Sequence, residues 1–254
     1  MEPNEPPRSP FRADFSAPEP AEPVVVLETA EPEQPRLGII HLLVWTACVA
    51  FYLGLHRIFV ADAPQEVHDR FMIFGAVQSM GMGAAFGGLL LWAARRYRGW
   101  SFPRYPGEYL LVALGLAGVI TLTLYGLFGL VTKALGPYTP WFAMAILFAA
   151  YAAVQGVVFL VPALRIKIPR WRWFFFSVAG VSLIGVLLPC AGPEFWGACL
   201  QILHLVPDAV LVVTVLVGWR QERRFPWTHW LGVVINLWFG VVGLGSLVVN
   251  IALR

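Results

Sequence analysis

The chain has 254 residues, 58% of them hydrophobic and only 13% charged, with a mean hydropathy of +0.69 and a formal net charge of +3. A soluble domain carries roughly 25% charged residues, which excludes that class. The small positive charge, with no basic stretch joined to a soluble binding fold, gives no basis for nucleic-acid binding. The count that matters is therefore membrane spans, each needing about 20 mostly apolar residues. Eleven Trp, with the Phe and Tyr, suit a protein that meets two wet–apolar boundaries.

The first 36 residues, including "MEPNEPPRSPFRADFSAPEPAEP" and "ETAEPEQPR", are rich in Pro and Glu and poor in large apolar clusters. Such a segment buries too little surface to offset its ordering entropy, so a disordered tail is expected there. Its Pro-rich stretches offer a docking site for a protein partner; the plainer reading is a solvated leader. No basic start leads directly into an apolar run, so it does not read as a signal peptide.

After Arg36 apolar runs alternate with short polar loops, at approximately 37–55, 71–94, 107–131, 141–164, 173–189, 195–218 and 228–253. Each is about the length a helix needs to span a bilayer, and none alternates residue by residue as the strands of a membrane barrel would. The expected fold is an all-α integral membrane protein, a bundle of about seven transmembrane helices (37–254) behind a disordered N-terminal tail.

The cations give an orientation. Arg95, Arg96, Arg98 and Arg104 crowd one loop; Arg165, Lys167, Arg170 and Arg172 a second; Arg220, Arg223 and Arg224 a third. The alternate loops hold only Arg57 and Arg70, then Lys133, then none. The basic loops, Arg36 and the tail are thus expected in the cytoplasm and Arg254 outside. These loops, "RRYRGWSFPRYP", "RIKIPRWRW" and "RRFPWTHW", share a mixture of Arg, Pro and aromatic residues. They read as membrane interfaces, with Arg snorkelling, Trp at headgroup depth and anionic lipid headgroups as partners.

In the first run, "RLGIIHLLVWTACVAFYLGLHR" contains Arg36, His41, Leu42, Leu43, Trp45, Thr46, Ala47, Val49 and Ala50 in an Arg, "HLL", "WTA.VA" pattern. It resembles the leading helix of uncharacterised bacterial polytopic membrane proteins. The resemblance covers under a tenth of the chain and implies a bacterial inner-membrane setting; it implies no activity and carries over no functional residue. Cys48 lies within this run, which continues past it and so does not end in a lipidation site. In the second run Ser79, Gly83 and Gly87 are four apart, and the seventh holds Gly240, Gly243 and Gly245. Small residues at such spacing let helix backbones approach closely.

The sixth run contains "LQILHLVPDAVLVV", in which Gln201, His204 and Asp208 fall on one helix face. Pro207 frees a carbonyl one turn earlier and is expected to kink the helix. Facing lipid, this stripe would cost several kcal/mol, so it is expected to face the bundle interior, with Gln155, Thr121, Thr123 and Asn236 as partners at comparable depth. Three readings stand: a hydrogen-bonded network that fixes helix packing, a proton relay or solute-binding site, and an enzyme or cofactor site. The residues argue against the third. His204-x-x-x-Asp208 matches one fragment of a CAAX-type protease pattern but lacks its paired Glu, and no His-Glu-x-x-His motif occurs. A second haem-ligand His at matching depth is also missing. No catalytic residue, metal site or cofactor is assigned.

His56, His68, His229 and Glu194 lie in or beside loops, where solvated side chains are the ordinary expectation. "PCAGPEFWGAC" places Cys190 and Cys199 at the ends of adjacent runs on the outer, oxidising side, so a disulfide between them is one reading and two small apolar fillers the other.

Overall fold

The computed structural model describes residues 38–60, 65–99, 102–135, 141–188 and 193–252. The Pro- and Glu-rich tail lies outside them. The described residues form seven helices and no strand: α1 Ile39–Val60, α2 Gln65–Tyr97, α3 Pro106–Leu135, α4 Trp141–Arg165, α5 Pro169–Leu187, α6 Pro193–Glu222 and α7 Trp227–Ala252. Six of them, all but α6, contain a stretch long and apolar enough to cross a membrane.

Several helices run three or more residues past the apolar runs, among them both ends of α2 and the C-terminal ends of α1, α3 and α6. Backbone hydrogen bonding does not stop where apolar side chains do, so Arg95 and Arg96 still lie in the last turn of α2 and Glu222 ends α6. The three basic connections are short, and Pro stands at or beside the start of each following helix, at Pro106, Pro169 and Pro226. Proline suits that position because the first-turn N–H has no intrahelical partner to lose.

Packing closes α3, α4, α5, α6 and α7 into a ring of neighbours; α2 lies against α3 and α7, and α1 against α2. The fully buried core is drawn from these elements: Leu110 and Leu111 of α3, Phe159 of α4, Trp171, Phe174 and Phe175 of α5, Leu211 of α6 and Val233 of α7. Many other apolar side chains point outward, such as Ile39, Val157, Leu187, Val217 and Val241. An apolar core under an apolar exterior is the distribution a bilayer solvent requires.

The small residues of α2 do what their spacing predicts. A Cβ on Gly83 would stand 2.5 Å from Val49 Cα and 2.8 Å from the Cys48 carbonyl, so α1 and α2 touch backbone to backbone there. On α7 the expectation holds unevenly: Gly240 is closely approached, whereas a Cβ on Gly243 would meet nothing within 4 Å.

Candidate functional site

Two polar constellations lie among the packed helices, one expected from the sequence and one not. The first centres on Asp208, half-buried one residue after the buried Pro207 of α6. Asn236 of α7, 8% exposed, donates its Nδ2–H to Asp208 Oδ1 at 3.4 Å. One turn further along α7, Gly240 provides the space for the carboxylate, since a Cβ there would lie 2.7 Å from Oδ2. The α6–α7 contact is thus built around a carboxylate, an amide and a missing side chain. The side chains of Gln201 and His204 lie outside the described residues.

The other partners named from the sequence are elsewhere. Thr121 donates to the Ala117 carbonyl at 2.8 Å, and its oxygen lies 3.3 Å from the Tyr151 hydroxyl, joining α3 to α4. Thr123 donates to the Val119 carbonyl at 2.9 Å on an exposed face. Gln155 is half-buried on α4, which packs on α3 and α5, whereas α6 packs on α5 and α7. Cys199 is half-buried near the start of α6; Cys190, the other half of the expected bridge, lies outside the described residues. The side chains of His68 and Glu194 also lie outside them.

The second constellation sits at the end of the bundle that carries the basic connections. Glu108, third residue of α3 and 3% exposed, reaches back over the helix start. Its Oε2 accepts the backbone N–H groups of Arg104 at 2.8 Å and Tyr105 at 3.3 Å, which satisfies donors that the first turn leaves orphaned. Its Oε1 accepts a short hydrogen bond from the Thr228 hydroxyl in the first turn of α7. The next residue, His229, accepts the Gly107 N–H at Nδ1, 2.8 Å away. An accepting Nδ1 places the ring proton of the neutral imidazole on Nε2.

That Nε2 faces Glu222 Oε2 at 3.6 Å, and neither atom has another hydrogen-bond partner. The other oxygen of Glu222, Oε1, accepts the Trp171 indole N–H at 2.8 Å and the Arg170 Nε–H at 3.3 Å. Glu222 and His229 are both fully buried, and Arg170 is 23% exposed. Phe225, Trp171 and Trp230 stand edge-on to the His229 ring with centroids 4.7–5.6 Å away. Close backbone packing brings the helix ends together: a Cβ on Gly232 of α7 would lie 3.0 Å from the Leu111 nitrogen of α3.

The electrostatics explain why two carboxylates are stable here. The first turns of α3, α5 and α7 present unpaired N–H groups and the positive ends of their dipoles, and Glu108 and Glu222 sit among them. Glu222 also ends α6, where the dipole is unfavourable to an anion, so the guanidinium of Arg170 and the indole N–H are what make its burial tolerable. Among the described residues no three His, Cys, Asp or Glu side chains gather as a metal ion would require.

Two sequence expectations are corrected by this end of the bundle. His229 is not a solvated loop histidine; it lies inside the first turn of α7 as the link between α3 and α6. Trp171 is not an interface anchor, because it turns inward to Glu222, whereas Trp173 two residues later is 71% exposed. His56 too is half-buried in α1, packed on Gly75.

The chain matches no family model, no curated protein and no solved structure in the comparisons made with each. The described geometry, six helices with membrane-spanning character among seven, makes it a multi-pass membrane protein.

Proposed function

We propose that the chain is a bacterial inner-membrane protein of seven spans, α6 included, with its basic connections and tail in the cytoplasm and a structural or regulatory role rather than a catalytic one. The observation that carries this reading is the buried tie of Glu108, Thr228, His229, Glu222, Trp171 and Arg170, which joins four of the five ring helices at one end. Polar groups that bond to one another across helix interfaces fix a bundle in a single arrangement. Such a body suits a scaffold whose cytoplasmic face and tail are read by a partner. The Pro- and Glu-rich composition of the tail fits a docking role.

A second reading, movement of a proton or small solute past α6, draws on Asp208. It is only half-buried, beside a helix proline, and its bond to Asn236 is long at 3.4 Å. An ionisable residue inside a span is a common element of such pathways. Proteoliposome flux separates the two: the scaffold reading expects no proton or ion flux that Asp208→Asn abolishes. Flux that depends on Asp208 would replace it with the transport reading.

A further inference from the structure

Between α5 and α6 lies an open groove of about 370 Å³. Its walls are Trp173 of α5 and Ala209, Val210, Val213, the buried Thr214 and Val217 of α6, and Arg170 of α5 also lines it. The apolar part follows α6 from Ala209 to Val217, about 12 Å at 1.5 Å per residue. This face is open rather than roofed by another described helix: Trp173, Val213 and Val217 are 71%, 58% and 75% exposed.

Arg170 is held in place, not merely nearby. Its Nε–H is bonded to Glu222, and the guanidinium lies across Gly218, where a Cβ would come 2.6 Å from Cζ. Only a residue without a side chain at 218 lets the cation rest at the junction of the two helices, level with the end of the groove. The rim beyond is strongly positive. Arg165, Lys167, Arg172, Arg220, Arg223 and Arg224 are all exposed, and Glu222, the one acidic residue in the two connecting stretches, is fully buried.

We propose that this groove is a binding site for one anionic glycerophospholipid, its phosphate drawn to the Arg170 end and the upper part of an acyl chain laid along Ala209–Val217. The proposal rests on the membrane reading given above and adds a particular place and lipid class to it. A general basic interface attracts anionic lipid anywhere along its edge. Here a cation bonded to Glu222 and laid against Gly218 stands at the head of an apolar trough one helix-pair wide, which is charge and shape complementarity to a single amphiphile. Trp173 on the wall supplies an indole flank for the chain and a reporter for its presence.

The test is fluorescence quenching in phosphatidylcholine vesicles that contain a matched minor fraction of bromo-acyl phosphatidylglycerol or bromo-acyl phosphatidylcholine. The Trp173 component is isolated as the difference between the parent protein and Trp173→Phe. The anionic quencher should be favoured about fivefold over the zwitterionic one, the effect of one cation beside a headgroup of net negative charge, since the choline of the other lipid offsets its phosphate. Arg170→Gln should abolish that preference. Because Arg170 also serves the buried tie, Val213→Phe provides an independent check: it fills the trough from an exposed position and should lower quenching of Trp173 by both lipids. Equal quenching by the two lipids in the parent, a preference that survives Arg170→Gln, or quenching unchanged in Val213→Phe, would overturn the proposal. Failure of the protein to enter vesicles would instead refute the membrane reading on which it stands.

Discussion

Replacing Glu222 probes the buried tie most directly. Its carboxylate is fully buried, accepts the Trp171 indole N–H at 2.8 Å and the Arg170 Nε–H at 3.3 Å, and faces His229 at 3.6 Å. In Glu222→Leu the indole N–H keeps its burial and loses its acceptor, a cost of about 1–3 kcal/mol. Arg170 loses its bond to Glu222 as well. Removing one member of a buried pair costs about 3–5 kcal/mol in general, and the 23% exposure of Arg170 places this case near the lower end, about 3 kcal/mol. Glu222→Gln retains an amide oxygen for the indole and guanidinium but removes the charge and turns its NH2 toward the His229 Nε2–H, so its cost should be about 1–2 kcal/mol, still below that of Leu. The assay is reversible unfolding by SDS titration from mixed micelles, followed by circular dichroism. Adding Trp171→Phe to Glu222→Leu should recover part of the loss, because the stranded donor is then gone. Leu and Gln variants equal to within about 0.5 kcal/mol would refute the reasoning, since the acceptor would then contribute nothing.

Reporter fusions should place Arg96, Arg170 and Arg223 in the cytoplasm and Asp62, Pro137 and Glu194 outside; Arg170 and Glu194 on the same side would sink the seven-span topology. Asp208→Leu and Asn236→Leu should each cost about 1 kcal/mol in the same SDS titration, and the double variant less than their sum, because the two share one bond. Additive losses would mean the pair is not coupled. Thiol counting on denatured protein prepared without reductant should find three free cysteines, whereas one free thiol that rises to three on reduction would establish the Cys190–Cys199 bridge. Gly232→Val should destabilise the bundle more than Gly243→Val, since a Cβ at 232 meets the backbone of α3 and one at 243 meets open space; equal losses would contradict the close α3–α7 approach.

The helices were legible because length and hydropathy alone define them. Lipid leaves the backbone no partner but itself, so a run such as 107–131 has one stable form. The Asp208–Asn236 contact was legible in part: a carboxylate within an apolar run must find a polar neighbour, but periodicity names the face of a helix and not the helix opposite. Hence Asn236 was named together with Thr121 and Gln155, which lie on other interfaces. The buried tie was missed for a different reason. Glu108, Glu222 and His229 stand at helix ends, where composition reads as loop and a charged residue is ordinarily solvated. What buries them is the convergence of separate chain ends, 122 residues apart for Gly107 and His229. The one local signal was present in the shared texture of the basic stretches, in which Pro opens a helix and an acid, aromatic or His follows within its first turn. That pattern marks first turns whose N–H groups and side chains can be directed inward.

Arg170 belongs to both the tie and the groove, and that shared membership has a thermodynamic consequence. Its Nε–H bonds a buried carboxylate while its guanidinium lines a trough open to lipid. A phosphate that binds at the trough head holds the guanidinium at the α5–α6 junction. It thereby favours the arrangement in which Glu222 is paired. Whatever binds the folded bundle and not the unfolded chain stabilises it by mass action, about 2.7 kcal/mol at a hundredfold excess over the dissociation constant. The coupling is reciprocal, so breaking the tie must weaken the lipid preference by the same free energy with which lipid strengthens the tie. Glu222→Gln should therefore reduce the anionic-lipid preference at Trp173, although residue 222 does not line the groove. Its stability deficit should also widen in phosphatidylglycerol-containing micelles relative to zwitterionic ones. A deficit independent of lipid charge would show that Arg170 serves the two sites without linking them.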